Sequence, residues 1–175
     1  MGSNQILLIV GAFAILASLQ LSINSSIIRS YTTTLDGEAT IDGMSIGQAM
    51  IDEINTRIFD KMTKDSVVFW TTSLTPYNQL GPEAGESIAA NERQPFQSRN
   101  RYNDVDDYNR YTRIVTSPRL GDFYVKDSVY YVLASNPNQY TATKTWFKKV
   151  IVTVTHPNML FPVELQSLIV YRQYF

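Results

Sequence analysis

The sequence predicts an α+β chain. A long hydrophobic N-terminal helix, with a second amphipathic helical segment, packs on an antiparallel β-sheet head. Three observations predict this. No charged side chain occurs before Arg29. Apolar residues at helical spacing recur between residues 45 and 62. Short alternating segments, separated by turn residues, then fill residues 110 to 175. Helices first and strands later is the order of an α+β fold, with helix covering one face of a sheet. The expected division is a hydrophobic helix over residues 1–35 and a globular head over 36–175, its helix near 45–62 and its sheet near 110–175.

The first element rests on Ile6 to Leu19, which is strongly apolar, and on Gln20 to Ile28, which mixes Leu and Ile with Ser and Asn. A helix rises about 1.5 Å per residue, so residues 5 to 28 reach roughly 36 Å, enough to cross a bilayer. Three readings compete for it. A cleaved signal peptide wants a basic leader, and the Ala-x-Ala triplet Ala12-Phe13-Ala14 sits inside the apolar run instead of after it. A buried core helix is the soluble alternative. A membrane-resident or filament-core helix is favoured by small residues: Ala14, Ser18, Ser22, Ser26 and Ser30 recur every four positions, with Gly11 three before Ala14. On a helix they form one drifting stripe along which neighbouring helices approach closely. Ser and Ala are also common enough to form such a row by chance. Only the α-amino group and Arg29 flank the span, so charge barely sets its orientation.

Thr32 to Asp42 carries β-branched residues and Gly37, with Gly43 next, so the first helix is expected to stop, kink or fray there. Ser45 and Gln48 then read as a capping box for a second helix of about 18 residues. Ile46, Met50, Ile54, Ile58 and Met62 supply its apolar stripe, and Asp52, Glu53, Arg57, Asp60 and Lys61 its polar face. Val67 to Trp70 is a candidate first strand. Residues 75 to 107 hold Pro76, Pro82 and Pro95 with Gly81 and Gly85, and read as a long loop region. Strands are expected at Tyr111–Thr116, Phe123–Lys126 and Val129–Ala134, the last two joined by an Asp127-Ser128 turn, with a further turn at Asn136-Pro137-Asn138. Thr143 to Thr155 alternates, with Val150, Val152 and Val154 on one face; His156-Pro157-Asn158 turns the chain, and Leu165–Tyr174 returns as the final strand.

Composition narrows the function. Of 175 residues, 44% are hydrophobic and 18% charged, and 15 Lys and Arg against 16 Asp and Glu leave a net charge of -1. No global positive field exists to hold nucleic acid, so none is predicted as a partner. The absence of cysteine excludes disulfides, thiolate metal sites and Cys nucleophiles. His156 is the single histidine, at a turn where a solvated residue is expected and not a catalytic base. No P-loop, GxSxG, HExxH or dinucleotide fingerprint occurs, and no enzymatic activity or catalytic residue is predicted. Nine of eleven tyrosines follow residue 100, which suits half-buried sheet positions first and subunit contacts second.

One constellation is dense in oxygen. Asn103, Asp104, Asp106, Asp107 and Asn109 fall within seven positions. Calcium takes six to eight oxygens from a flexible loop, so Asn103, Asp104, Asp106 and Asp107 form a candidate calcium site, although the spacing is not that of an EF-hand. The rival reading is a turn-forming surface loop whose carboxylates pair with Arg99, Arg101, Arg110 and Arg113. No other cofactor is expected.

Four stretches then share a pattern: the uncharged helix Ile6–Ile28, IGQAMIDEINTRIFDK at Ile46–Lys61, YNDVDDYNRY at Tyr102–Tyr111, and FKKVIVTVTHP at Phe147–Pro157. In these the chain resembles type IV pilin-like proteins, in particular the minor pilins of the mannose-sensitive haemagglutinin type. The resemblance implies a homo-oligomeric helical filament, its subunits held in the inner membrane before assembly and extruded by pilus assembly machinery to the cell surface. It implies that the helix, through Ile6, Leu7, Ile9, Val10, Gly11, Phe13, Ala14, Leu16, Ser18, Leu21 and Ser22, is membrane span first and filament core later. It implies processing at Gly2, which would place Leu7 at the fifth position, where the family carries Glu; register between subunits would then rest on shape and small-residue packing. The alternative is a single-pass anchored envelope protein with a non-enzymatic ligand- or partner-binding domain.

Overall fold

An unbroken α-helix, α1, runs Ser3–Asn55 in the computed structural model, which describes residues 2–172. The expected break at residues 32–42 does not occur. Thr32 and Thr33 donate their hydroxyls to the Arg29 carbonyl and Thr34 to that of Ser30, so the β-branched residues satisfy their polar groups on the helix itself. Ser45 is not a cap either: its Oγ donates to Ile41 O inside the same helix. Two units divide the chain, α1 up to Glu38 and everything from Ala39 onward.

In the second unit the buried face of α1 is Ala39, Gly43, Gly47, Met50, Ile51 and Ile54. Small residues lie on this face because the sheet comes close. A Cβ on Gly47 would stand 2.9 Å from Leu165 Cδ1 and 3.4 Å from Val154 Cγ2. The helix ends at Asn55, short of the predicted Met62, because the chain is captured elsewhere. Ile58 N donates to Asn103 O and Val105 N to Ile58 O, an isolated parallel bridge between Ile58 and Asp104. Asp60 and Lys61 therefore leave the helix's polar face, and Asp60 is buried.

The sheet is antiparallel throughout, in the order β1-β2-β4-β5, with β3 pairing the end of β2. Its strands are β1 Thr112–Ser117, β2 Gly121–Leu133, β3 Asn136–Tyr140, β4 Phe147–Thr155 and β5 Val163–Val170. The turn expected at Asp127-Ser128 is absent. β2 passes straight through, and Asp127 takes the inward position of the alternation that buries Phe123, Val125, Val129 and Tyr131. Asn136-Pro137-Asn138 lies in β3, and the turn precedes it at residues 134–135. Val67–Trp70 joins no ladder; the Val68 amide donates to Tyr171 Oη instead. β5 starts at Val163, and positions 173 and 174 of the predicted last strand lie outside the described residues.

Met50, Ile51 and Ile54 of α1 meet Val125, Val152, Val154 and Tyr108 in the main core. Each fully buried aliphatic or aromatic side chain of this kind contributes about 1.5–3 kcal/mol. A second cluster, Phe59, Val68, Leu74, Leu80 and Tyr131, lies under the irregular segment that follows α1. His156 belongs inside and not in solvent as expected. Its ring stacks on Phe123 at 4.4 Å between centroids, Nδ1 accepts from the Asn158 amide, and Nε2 lies 2.9 Å from the Leu120 carbonyl oxygen. Nδ1 being an acceptor, Nε2 carries the hydrogen and donates.

Candidate functional site

Two features stand out, one in each unit. The first is the apolar surface of α1 up to Glu38. Residues 3 to 34 are all exposed, including five consecutive aliphatic residues from Ile6 to Val10. A helix apolar on every side is stable only where lipid or other helices surround it. The stretch is long and apolar enough to cross a membrane, none of it buried, as a membrane anchor or a signal sequence requires. Ile6, Leu7, Ile9, Val10, Phe13, Leu16 and Leu21 present side chains around the helix, and Gly11, Ala14, Ser18 and Ser22 lie between them, all exposed. Ser18 Oγ donates back to Ile15 O and Ser25 Oγ to Ser22 O, so both hydroxyls are satisfied on the helix itself. Gly2 is exposed immediately ahead of α1.

The second feature is a band of buried charge where the end of α1, the 75–107 segment and the sheet meet. Glu53, on the last turns of α1, accepts from Arg113 Nη1 at 2.8 Å, Arg99 Nε at 3.4 Å, Tyr108 Oη at 3.0 Å and Ser98 Oγ at 3.2 Å. Burial alone raises its carboxyl, but Arg113 and these hydrogen bonds outweigh that and hold it below the usual value. Tyr102, Tyr108 and Tyr111 pack edge to face beside it, with centroids 4.9 to 5.8 Å apart.

Lys148, fully buried on β4, donates to Phe59 O at 2.7 Å, Asp60 Oδ2 at 3.0 Å and Asp106 Oδ1 at 2.6 Å. Asp60 also accepts from the amides of Met62 and Thr75, the Thr75 hydroxyl and Tyr131 Oη. Burial raises the Asp60 carboxyl, and Lys148 with these donors brings it below the ordinary range. Asp106 is raised by burial despite Lys148.

Neither sequence reading of the acidic loop matches this arrangement completely. Asp106 turns toward Lys148, whereas Asp104 and Asp107 gather with Glu83 from the long loop, one oxygen of each within 4.8 Å of the others. Asn103 donates its amide Nδ2 to Glu86, and its backbone N–H to Asp107 Oδ2 at 2.8 Å. Burial and the charges of Asp106 and Asp107 push the Asp104 carboxyl up to about 9. Burial, with Glu86 and Glu83 nearby, pushes Asp107 up to about 7. Three of the four flanking arginines bond elsewhere than expected: Arg99 and Arg113 go to Glu53, and Arg101 donates to Ser87 O.

The chain matches no protein-family model, no curated protein and no solved structure. What it has is a layout: a long apolar N-terminal helix whose C-terminal portion packs on an antiparallel sheet, as in pilins. Three residues of the charged band escape a reading by motif. Glu53 and Asp60 looked like solvated helix positions, and Glu83 lies 21 positions before Asp104. For Lys148 a signal existed, because it shares the parity of Val150, Val152 and Val154 and therefore their inward face.

Proposed function

We propose that the chain is a non-enzymatic structural subunit of an extracellular pilus-like filament, assembled through its hydrophobic N-terminal helix. The observation that carries the reading is the exposure of an uncharged, largely apolar helix from Ser3 to Ile28, continuous with a segment that packs on a sheet. Such a surface faces lipid before assembly and sister helices afterwards, so moving from one to the other changes apolar burial little. The row of Ala14, Ser18, Ser22, Ser26 and Ser30 supplies the close-packing seam, and the resemblance to type IV pilins supports the same role. The buried charges of the head serve its architecture: each anchors an irregular segment to helix or sheet.

The test is truncation. Both apolar clusters draw only on residues from Ala39 onward. Removing residues 1–28 is expected to leave a soluble, folded, monomeric head, while the full chain associates. A truncated chain that still polymerises contradicts the reading. A full chain that stays monomeric in detergent at high concentration makes it a single-pass anchored envelope protein.

A further inference from the structure

Four carboxylates crowd one point of the head. Glu83, Asp104 and Asp107 converge within 4.8 Å, and Glu86 joins them through Asn103 Nδ2 and the Glu83 amide. Asp104 and Asp107 have no exposed surface, yet Asp104 Oδ2 and Asp107 Oδ1 accept no hydrogen bond among the described residues. Neither does the buried Asn103 Oδ1, a neutral amide oxygen. Their remaining capacity is taken: Asp107 Oδ2 accepts from the amides of Asn103 and Asp104, and Asp104 Oδ1 from that of Asp107. Buried oxygens without donors are costly, and like charges together are more so.

The cations nearby do not balance them. Lys148 is held by Asp60 and Asp106, and Arg101 by a carbonyl. Among the described residues the cation that pairs with the group is Lys61, at 2.6 Å from Glu83 Oε1, with its side chain 38% exposed. A single ammonium at the rim faces four acids.

We propose that Glu83, Asp104 and Asp107, with the Asn103 amide oxygen, bind one divalent cation of the calcium class, displacing Lys61 from Glu83. Every donor is oxygen, which selects a hard cation over zinc or copper. Oxygens spread over 4.8 Å suit an ion with metal–oxygen distances of about 2.4 Å, larger than magnesium prefers. Asp106 lies outside this convergence: its Oδ1 serves Lys148, and its side chain rests against that of Asp104. The ion would tie the turn at Glu83–Glu86 to the loop at Asn103–Asp107, which itself bridges to Ile58 after α1. The proposal is independent of whether the N-terminal helix assembles.

The full chain in detergent, stripped with EGTA and dialysed against calcium, tests this by bound calcium per chain and by thermal midpoint. One retained ion is expected, with a midpoint rise of roughly 5–10 °C at a hundredfold excess over Kd. Glu83→Gln and Asp107→Asn should each weaken binding at least about tenfold. Lys61→Gln leaves the acids intact and removes the competing ammonium, so calcium should bind several-fold more tightly. If the acidic variants do not fold, this third variant decides. No retained calcium at millimolar concentration, binding that survives both acidic substitutions, or weaker binding in Lys61→Gln would overturn the proposal.

Discussion

Replacing Lys148 with Met removes the cation that Asp60 and Asp106 share while keeping an unbranched side chain of similar reach. Three donated hydrogen bonds disappear, at 2.6, 2.7 and 3.0 Å. Breaking a fully buried ion pair by removing one partner costs about 3–5 kcal/mol. Asp60 retains the two amides, the Thr75 hydroxyl and Tyr131 Oη, so it stays supported. Asp106 Oδ2 accepts no hydrogen bond from a donor among the described residues, and Oδ1 loses the ammonium. The expected loss is therefore about 3–4 kcal/mol, in the lower part of that range. Urea unfolding of the full chain in detergent, followed by tryptophan fluorescence, measures it. Adding Asp106→Asn to Lys148→Met should recover about 1 kcal/mol or more by removing the stranded charge. The pH dependence has a definite sign. Asp60 has a lowered folded pKa, so its share of the stability is fully present above its unfolded value of 3.8 and is lost as pH falls through the folded value. The gap between wild type and variant should be widest near neutrality and close below about pH 4. A loss under about 1 kcal/mol at pH 7 would refute the assignment of Lys148 as the counter-charge of this cluster.

Glu53→Gln keeps the shape of the Arg113 site but removes its charge, and should cost roughly 2 kcal/mol in the same unfolding assay. The lowered pKa of Glu53 contributes stability above its unfolded value of 4.5 that disappears as pH falls through the folded value, so the variant should show a flatter stability profile in that window. Gly47→Leu places a side chain where a Cβ alone would already be 2.9 Å from Leu165 Cδ1, and overpacking of this kind costs about 1–3 kcal/mol. Thermal unfolding should show the loss at Gly47 and almost none for Gly37→Leu, where nothing lies within 4 Å.

Much of the fold was legible because periodicity survives wherever one face is buried. The uncharged start predicts a long helix, and the alternation of Val150, Val152 and Val154 places β4 to within a few residues. The errors fall where a polar residue is satisfied by something distant in sequence. Thr32 to Asp42 looked like a break, but threonine hydroxyls bond back to the helix, so local propensity did not decide. Asp127 looked like a turn residue, yet it lies inside a strand beside Arg113 and Glu53, with burial raising its carboxyl well above the usual range. In the acidic loop the oxygen-rich composition was visible. Which carboxylates face one another was not, because Lys148 takes Asp106 Oδ1 and the long loop brings in Glu83. Contacts spanning 21 and 42 positions leave no trace in spacing.

The proposed role of the exposed helix ahead of Arg29 is to build a filament. Shearing surface material from cells that make this protein, then identifying the chain by intact mass in the sheared and membrane fractions, tests this role. The chain is expected in the sheared, filamentous fraction. A chain confined to the membrane fraction would contradict it.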